Sequence, residues 1–400
     1  MIRPDHSPLA ADAQLPPLAV AAAAGFCAAV WADERVLEGT PLYFGAGLVG
    51  LFVARRVHRY RCLGLVPLFA TVATLVGLTG QLLGRWPGWA AVVFPLSIGL
   101  AAGGILRFRD TIRTDSRRFA AGGAVAMLLA VGVAVTFTRH ADPGAFGWLA
   151  VAAAAGSAAA AWLTLFRPTF EYGFCLAARL VYKPRAVGPG LAKFPMTGPA
   201  LVIANHGDWF DPPLVGGLLP RQVTALMTSA FFDKPGMRWL MTVFGTIRVL
   251  DAPVRRAAPE IDAAVQALDA GRVVLLLPEG YLRRKEEVPL RRFGQGVWKI
   301  LAARPGTPVV PVWVEGTWGS FFSFQGGPPT TGKRFRLRHP VTVGVGEPLV
   351  VPAEVLANRM GTRLYLMQKV ADARPLTGAA PLPPVDQLPP DDRAADGDDV

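Results

Sequence analysis

Six apolar stretches, at residues 17–31, 40–54, 62–84, 88–106, 119–137 and 145–166, crowd the first part of this chain, and no lysine occurs before Lys183. Several approach the roughly 20 residues that a helix needs to cross a bilayer core. The pattern predicts a polytopic helical membrane domain over residues 1–166. It has about six spans, or four if the two short first stretches form a re-entrant pair. Arginine marks a sidedness. The connections after the second and fourth stretches hold Arg55, Arg56, Arg59 and Arg61, then Arg107, Arg109, Arg113, Arg117 and Arg118, while the alternate loops hold only Arg35, Arg85 and Arg139. By the positive-inside rule both termini face the cytoplasm. Gln81 is the main polar residue inside the stretches and small residues recur (AAAAGFCAA, GLAAGGIL), which favours an anchor or scaffold over an ion path.

Charge divides the chain again. Residues 167–385 hold 27 Lys and Arg against 15 acids, whereas residues 386–400 hold one Arg against six Asp. A basic segment behind an apolar one points to an anionic lipid or a phosphorylated substrate, and away from nucleic acid. Cys27, Cys62 and Cys175 have no metal-ligand or disulfide spacing and read as small buried apolar residues.

Residues 167–198 are expected to form a helix and linker: Phe170, Phe174, Leu176 and Leu180 share one helical face, with Arg179 and Lys183 near its end, as in an interfacial helix or equally a simple core helix. From residue 199 to 375 short β-rich runs alternate with helical ones. Strands are expected at 200–205, 223–228, 246–250, 272–277, 308–314 and 341–345, and helices at 212–219, 237–244, 257–270, 294–303 and 353–373. Such alternation argues a largely parallel α/β sheet flanked by helices, with active residues at strand ends. The proline-rich acidic tail, 376–400, is expected to be disordered.

Two strand ends carry the chemistry. The first reads ANHGDWFD, placing Asp211 five residues after His206; a carboxylate there holds one ring nitrogen's proton and leaves the other nitrogen to deprotonate an alcohol. Alone the spacing is weak, since a turn histidine matches it as well. The second reads LPEGYLRRKEE, with Glu279 and Gly280 followed by Arg283, Arg284 and Lys285, residues suited to hydroxyl and phosphate binding. Taken singly, a loop carboxylate and a solvated basic face explain these too. A metal hydrolase is disfavoured, because the only other histidine of the segment, His339, lies in a basic strand.

In order, NHGDWFD (205–211), GTIRVLD (245–251), LPEGYLR (277–283) and VVPVWVEG (309–316) resemble the four motifs of the glycerophospholipid acyltransferase family typified by lysophosphatidic acid acyltransferase. The resemblance implies an acyltransferase domain in which His206 is the general base and Asp211 its orienting partner. An acyl chain would pass directly from acyl-CoA or acyl carrier protein to a lysophospholipid, with no metal or organic cofactor. Asn205, Gly245, Arg248, Glu279, Gly280, Arg283, Arg284 and Pro311 would bind substrate. The sequence departs from the family at Asp251, where an arginine is usual and for which Arg248, Arg255 or Arg256 are substitutes, and at Tyr281 and Leu282, where Thr-Arg is usual. The enzyme would sit in the inner or cytoplasmic membrane with its catalytic domain facing the cytoplasm. The alternative is a lysophospholipid transporter or flippase with a regulatory acyltransferase-like domain. An aromatic loop, 318–324, beside Lys333, Arg334, Arg336 and Arg338 is placed to dip into headgroups or simply to cap the sheet.

Overall fold

A computed structural model describes residues 61–83, 143–250 and 259–389. The chain divides into two compact units, Met1–Gly173 and Phe174–Val400. In the first, helix α1 (Arg61–Leu82) meets helix α2 (Pro143–Val181) through Thr71. Its hydroxyl donates to the Pro67 carbonyl at 2.8 Å and accepts from Trp162 Nε1 at 2.9 Å.

The expectation of a six-span membrane domain is corrected: among the described residues no helix is long and apolar enough to cross a membrane. The stretch 145–166 does not end as a separate span. It runs on inside α2 past the Arg167–Glu171 ion pair (2.8 Å) to Arg179, and α1 carries Pro67 internally. Alanine raises an apolar count while offering little transferable area, which is how hydropathy overstated the alanine-rich stretch 145–166. The stretches at 17–31, 40–54, 88–106 and 119–137, the arginines of their loops other than Arg61, Asp251, Arg255, Arg256 and residues 390–400 lie outside the described residues.

The second unit is built on a seven-stranded sheet in the order β1-β7-β6-β2-β5-β3-β4. The strands are β1 (Tyr182–Val187), β2 (Ala200–Ala204), β3 (Val223–Thr228), β4 (Ile247–Val249), β5 (Val273–Leu276), β6 (Val309–Glu315) and β7 (His339–Val345). Among these described strands only the β6–β7 pairing is antiparallel. Six strands fall where hydrophobic patterning puts them. The seventh, β1, replaces the expected linker: Tyr182 is buried and the strand pairs from Tyr182↔His339 to Val187↔Gly344. Its Pro184 is tolerated because β1 is an edge strand.

Central β2, in register with both β5 and β6, is buried on both faces, as parallel strands between helical layers must be. Alternation sends Leu201 and Ile203 into one core, with Ala264 and Leu268 of α6 (Pro259–Asp269), Ile300 of α7 (Gly296–Ala303) and Leu366 of α9 (Arg359–Asp372). Ala200, Val202 and Ala204 face the other, with Leu214 and Val215 of α3 (Asp211–Leu218). Two short helices, α4 (Ser229–Phe232) and α5 (Met237–Val243), link β3 to β4, and α8 (Ala353–Leu356) precedes α9. Gly217 of α3 lies so close to Cys175 that a Cβ would sit 2.5 Å from its Sγ, so only glycine allows that packing. The tail is also corrected over its described part. Leu382, Val385 and Leu388 pack against the core, and the Val385 amide donates to Gln368 Oε1 of α9 at 3.1 Å.

Candidate functional site

Because β5, β2 and β6 are parallel neighbours, the loops leaving their carboxyl ends share one edge of the sheet, where α/β folds place their ligands. Asn205 leaves β2 by pairing, through its side chain, with a backbone. Its Nδ2 donates to the Val314 carbonyl (3.0 Å) and its Oδ1 accepts the Val314 amide (2.6 Å). Both functions of the amide are taken by β6, which fixes where the next residue points.

That residue is His206. Its ring Nδ1 lies 3.1 Å from Asp211 Oδ2. The same oxygen accepts the amides of Gly207 at 2.6 Å and Asp208 at 2.8 Å, so it carries no proton and the ring nitrogen donates. In the neutral ring Nε2 is then the accepting nitrogen, and it has no hydrogen-bond partner among the described residues. Asp211 is fully buried at the first position of α3, while the His206 side chain keeps 19% of its surface open. Asp211 Oδ1 is buried without a partner among the described residues.

The β5 loop holds His206 from below. Pro278 and Glu279 form a turn closed by the Gly280 amide on the Leu277 carbonyl (3.1 Å), and Gly280 has φ +79°, a conformation that favours glycine. The turn aims Glu279 inward, where one carboxylate oxygen accepts the His206 amide (2.6 Å) and the other the Arg291 amide (2.8 Å). Burial pushes the Glu279 carboxyl up to about 8, opposed by those two amides and the Arg291 charge. The Arg283 amide completes the cradle by donating to the His206 carbonyl at 2.8 Å.

The cations expected to hold phosphate are turned to the protein itself. Arg248 forms a two-point ion pair with Asp233, its Nε at 3.0 and 2.9 Å from the two carboxylate oxygens. The Arg283 guanidinium donates to the carbonyls of Lys285 and Glu286 and lies over the Trp318 ring at 4.3 Å; burial lowers its pKa. Arg284 lies over Phe324 at 5.1 Å. Gly245, at φ +61°, closes the turn after α5. Pro311 is buried within β6 opposite Ile203, its carbonyl accepting the Gly346 amide at 2.8 Å. Thus His206, Asp211, Asn205, Glu279, Gly280 and Arg283 converge on one loop cluster, while Gly245 lies in the turn before β4 and Arg248 within β4 itself.

Asp208 belongs to the same loop, although the motif spacing does not single it out. It is fully buried, and its Oδ2 accepts the Tyr182 hydroxyl (3.0 Å) and the Ser320 hydroxyl while its Oδ1 accepts the Phe210 amide (2.6 Å). Burial, then the charge of Asp211, pushes its carboxyl up to about 6. The Tyr182 phenol is raised by its own burial and by Asp208. An isolated bridge, Asp208↔Ser323, ties this loop to the aromatic one. The only sequence signal was a second carboxylate inside the motif. The buried Arg291, over the Tyr281 ring at 5.8 Å, had none.

A buried carboxylate beside a half-buried imidazole at the edge of a mostly parallel sheet is an arrangement chemically suited to accepting a proton from a hydroxyl. Residues 189–315 match the model of the Acyltransferase family. Uncharacterized proteins of Mycobacterium bovis and Mycobacterium tuberculosis are 29% identical to this chain over 140 residues, covering 32% of it and 36% of their own length. One of Mycobacterium leprae is 29% identical over the same share of this chain and 35% of its own. The match therefore spans about a third of those relatives. The crystal structure of the 1-acyl-sn-glycerophosphate (LPA) acyltransferase PlsC from Thermotoga maritima aligns with 66% of this chain and all of its own, at 17% identity and a TM-score of 0.41.

Proposed function

We propose that this protein is an O-acyltransferase that moves a fatty acyl group from a thioester, acyl-CoA or acyl carrier protein, to the free hydroxyl of a lysophospholipid such as 1-acylglycerol-3-phosphate. The observation that carries the reading is the His206–Asp211 pair at the end of β2, with Nδ1 held at 3.1 Å and Nε2 left open. In the proposed reaction Nε2 takes the hydroxyl proton as the oxygen attacks the thioester carbonyl. Collapse of the tetrahedral intermediate breaks the C–S bond, and the imidazolium returns the proton to the departing thiolate. Asp211 stabilises the imidazolium in between. The matched family and the basic character of residues 167–385 support an acyl acceptor bearing phosphate. Acyl thioesters are made in the cytoplasm, so the reaction is assigned to that side, with the acceptor drawn from a lipid surface.

The test is His206→Ala in the full-length protein, offered a panel of lysophospholipids with acyl-CoA and acyl carrier protein in turn and read by product mass spectrometry. Wild type should give a diacyl product and the variant should lose it while remaining folded. Undiminished product from the variant would sink the mechanism.

A further inference from the structure

Residues 333–338 read Lys-Arg-Phe-Arg-Leu-Arg, and the last five are all exposed. Phe335 leaves 48% of its surface open and Leu337 66%. The Arg338 amide donates to the Leu180 carbonyl at 3.3 Å, which sets this segment against the last turn of α2. There Leu176 and Leu180 are 51% and 66% exposed, and Arg179 and Lys183 are exposed beside them. No acid occurs between Glu171 and Asp208 or between Glu315 and Glu347, so neither strip supplies a negative charge to the patch. Single exposed leucines are ordinary; apolar side chains gathered among cations mark an interaction surface.

The composition selects the occupant. Nucleic acid would satisfy the arginines and leave Leu176, Leu180 and Leu337 in water, whereas an anionic bilayer surface takes both kinds of side chain. The patch also leads to the site already described. A cleft lined by Tyr182, Ser320, Phe322, Arg334, Arg336 and His339 opens beside it, and two of those residues hold Asp208 in the His206 loop. A row of rings runs the same way, Phe335 to Phe321 (5.4 Å), Phe321 to Phe322 (5.1 Å) and Phe322 to Phe210 (4.6 Å). We infer that residues 333–338 and the exposed end of α2 form a docking face for an anionic phospholipid surface, from which the acceptor passes along this aromatic row to His206. Docking stands on the patch alone; delivery rests on the acyltransferase reading.

The test is amide hydrogen exchange of residues 333–338 in the full-length protein, measured by mass spectrometry with vesicles of phosphatidylcholine alone or mixed with phosphatidylglycerol. Exchange should slow only with the anionic vesicles, and the effect should fade at high salt. Each cation near such a surface is worth about fivefold in partition, so R334Q/R336Q/R338Q should weaken the effect about a hundredfold. Equal protection by neutral vesicles, undiminished protection in the triple variant, or the same protection by duplex DNA would overturn the proposal. A water-soluble short-chain acceptor without vesicles separates the two readings. R179Q/R338Q, which removes two cations of the docking face and spares the cleft-lining Arg334 and Arg336, should acylate it like wild type, and vesicle protection without any thioester-dependent acylation would refute the enzymatic reading alone.

Discussion

Glu279→Ala separates two roles for the carboxylate. The family resemblance makes Glu279 a ligand of the acceptor, whereas its two oxygens lie 2.6 and 2.8 Å from the amides of His206 and Arg291. Removing the side chain strands both amides in a buried place, at about 1–3 kcal/mol each. Relief of the buried carboxylate's own desolvation offsets part of this, leaving a net loss of about 3 kcal/mol. For a domain of some 200 residues that lowers the unfolding midpoint by about 6–12 °C. Glu279→Gln keeps one acceptor oxygen but turns an NH2 toward the second amide, so it should lose about half as much.

The same clamp sets the His206 peptide, and a displacement of about 1 Å in a general base costs on the order of a hundredfold in rate. The assay is thermal unfolding followed by circular dichroism, beside steady-state release of thiol from acyl-CoA at varied acceptor. The expected result is a lowered midpoint and a lowered kcat with acceptor KM little changed. A wild-type midpoint and kcat with a raised KM would refute the clamp and return Glu279 to the acceptor.

Three further outcomes follow from the same geometry. Asp211→Asn keeps an oxygen for the amides of Gly207 and Asp208 but removes the charge facing the imidazolium, so kcat should fall on the order of 10^3-fold with the fold intact, as read by thiol release and circular dichroism. Asp208 titrates at about 6 in the folded chain against 3.8 as a free side chain, so the native state holds the extra proton. Its contribution to stability is full below pH 4 and is lost as pH rises through 6; in Asp208→Asn, whose amide still meets Tyr182 and Ser320, denaturant midpoints should fall less between pH 4 and 7 than in wild type. Asn205→Ala uncouples β2 from Val314 and should cost about 2 kcal/mol in urea unfolding; because the same pairing sets where His206 points, kcat should fall by more than the unfolded fraction accounts for.

The parts of the fold legible in the sequence are those with strong patterning. The runs around Val202, Leu275 and Val312 are continuous and apolar because their strands are buried on both faces, whereas Tyr-Lys-Pro-Arg-Ala-Val hid β1, an edge strand paired to β7 alone. Hydropathy misled where alanine supplied it, as in the stretch that α2 absorbs. At the site, residue types at strand ends indicated which loops meet, since β5, β2 and β6 are neighbours. They did not indicate which atoms stay free. Asn205 spends its amide on Val314, Arg248 its fork on Asp233, and Glu279 both oxygens on amides. The spacing from His206 singles out Asp211 alone and gives no signal for Asp208. A short motif encodes a turn as well as a reaction, and in a buried turn the backbone competes for the same carboxylates that chemistry would use. Of the polar groups gathered here, the nitrogen that this competition leaves available is Nε2 of His206.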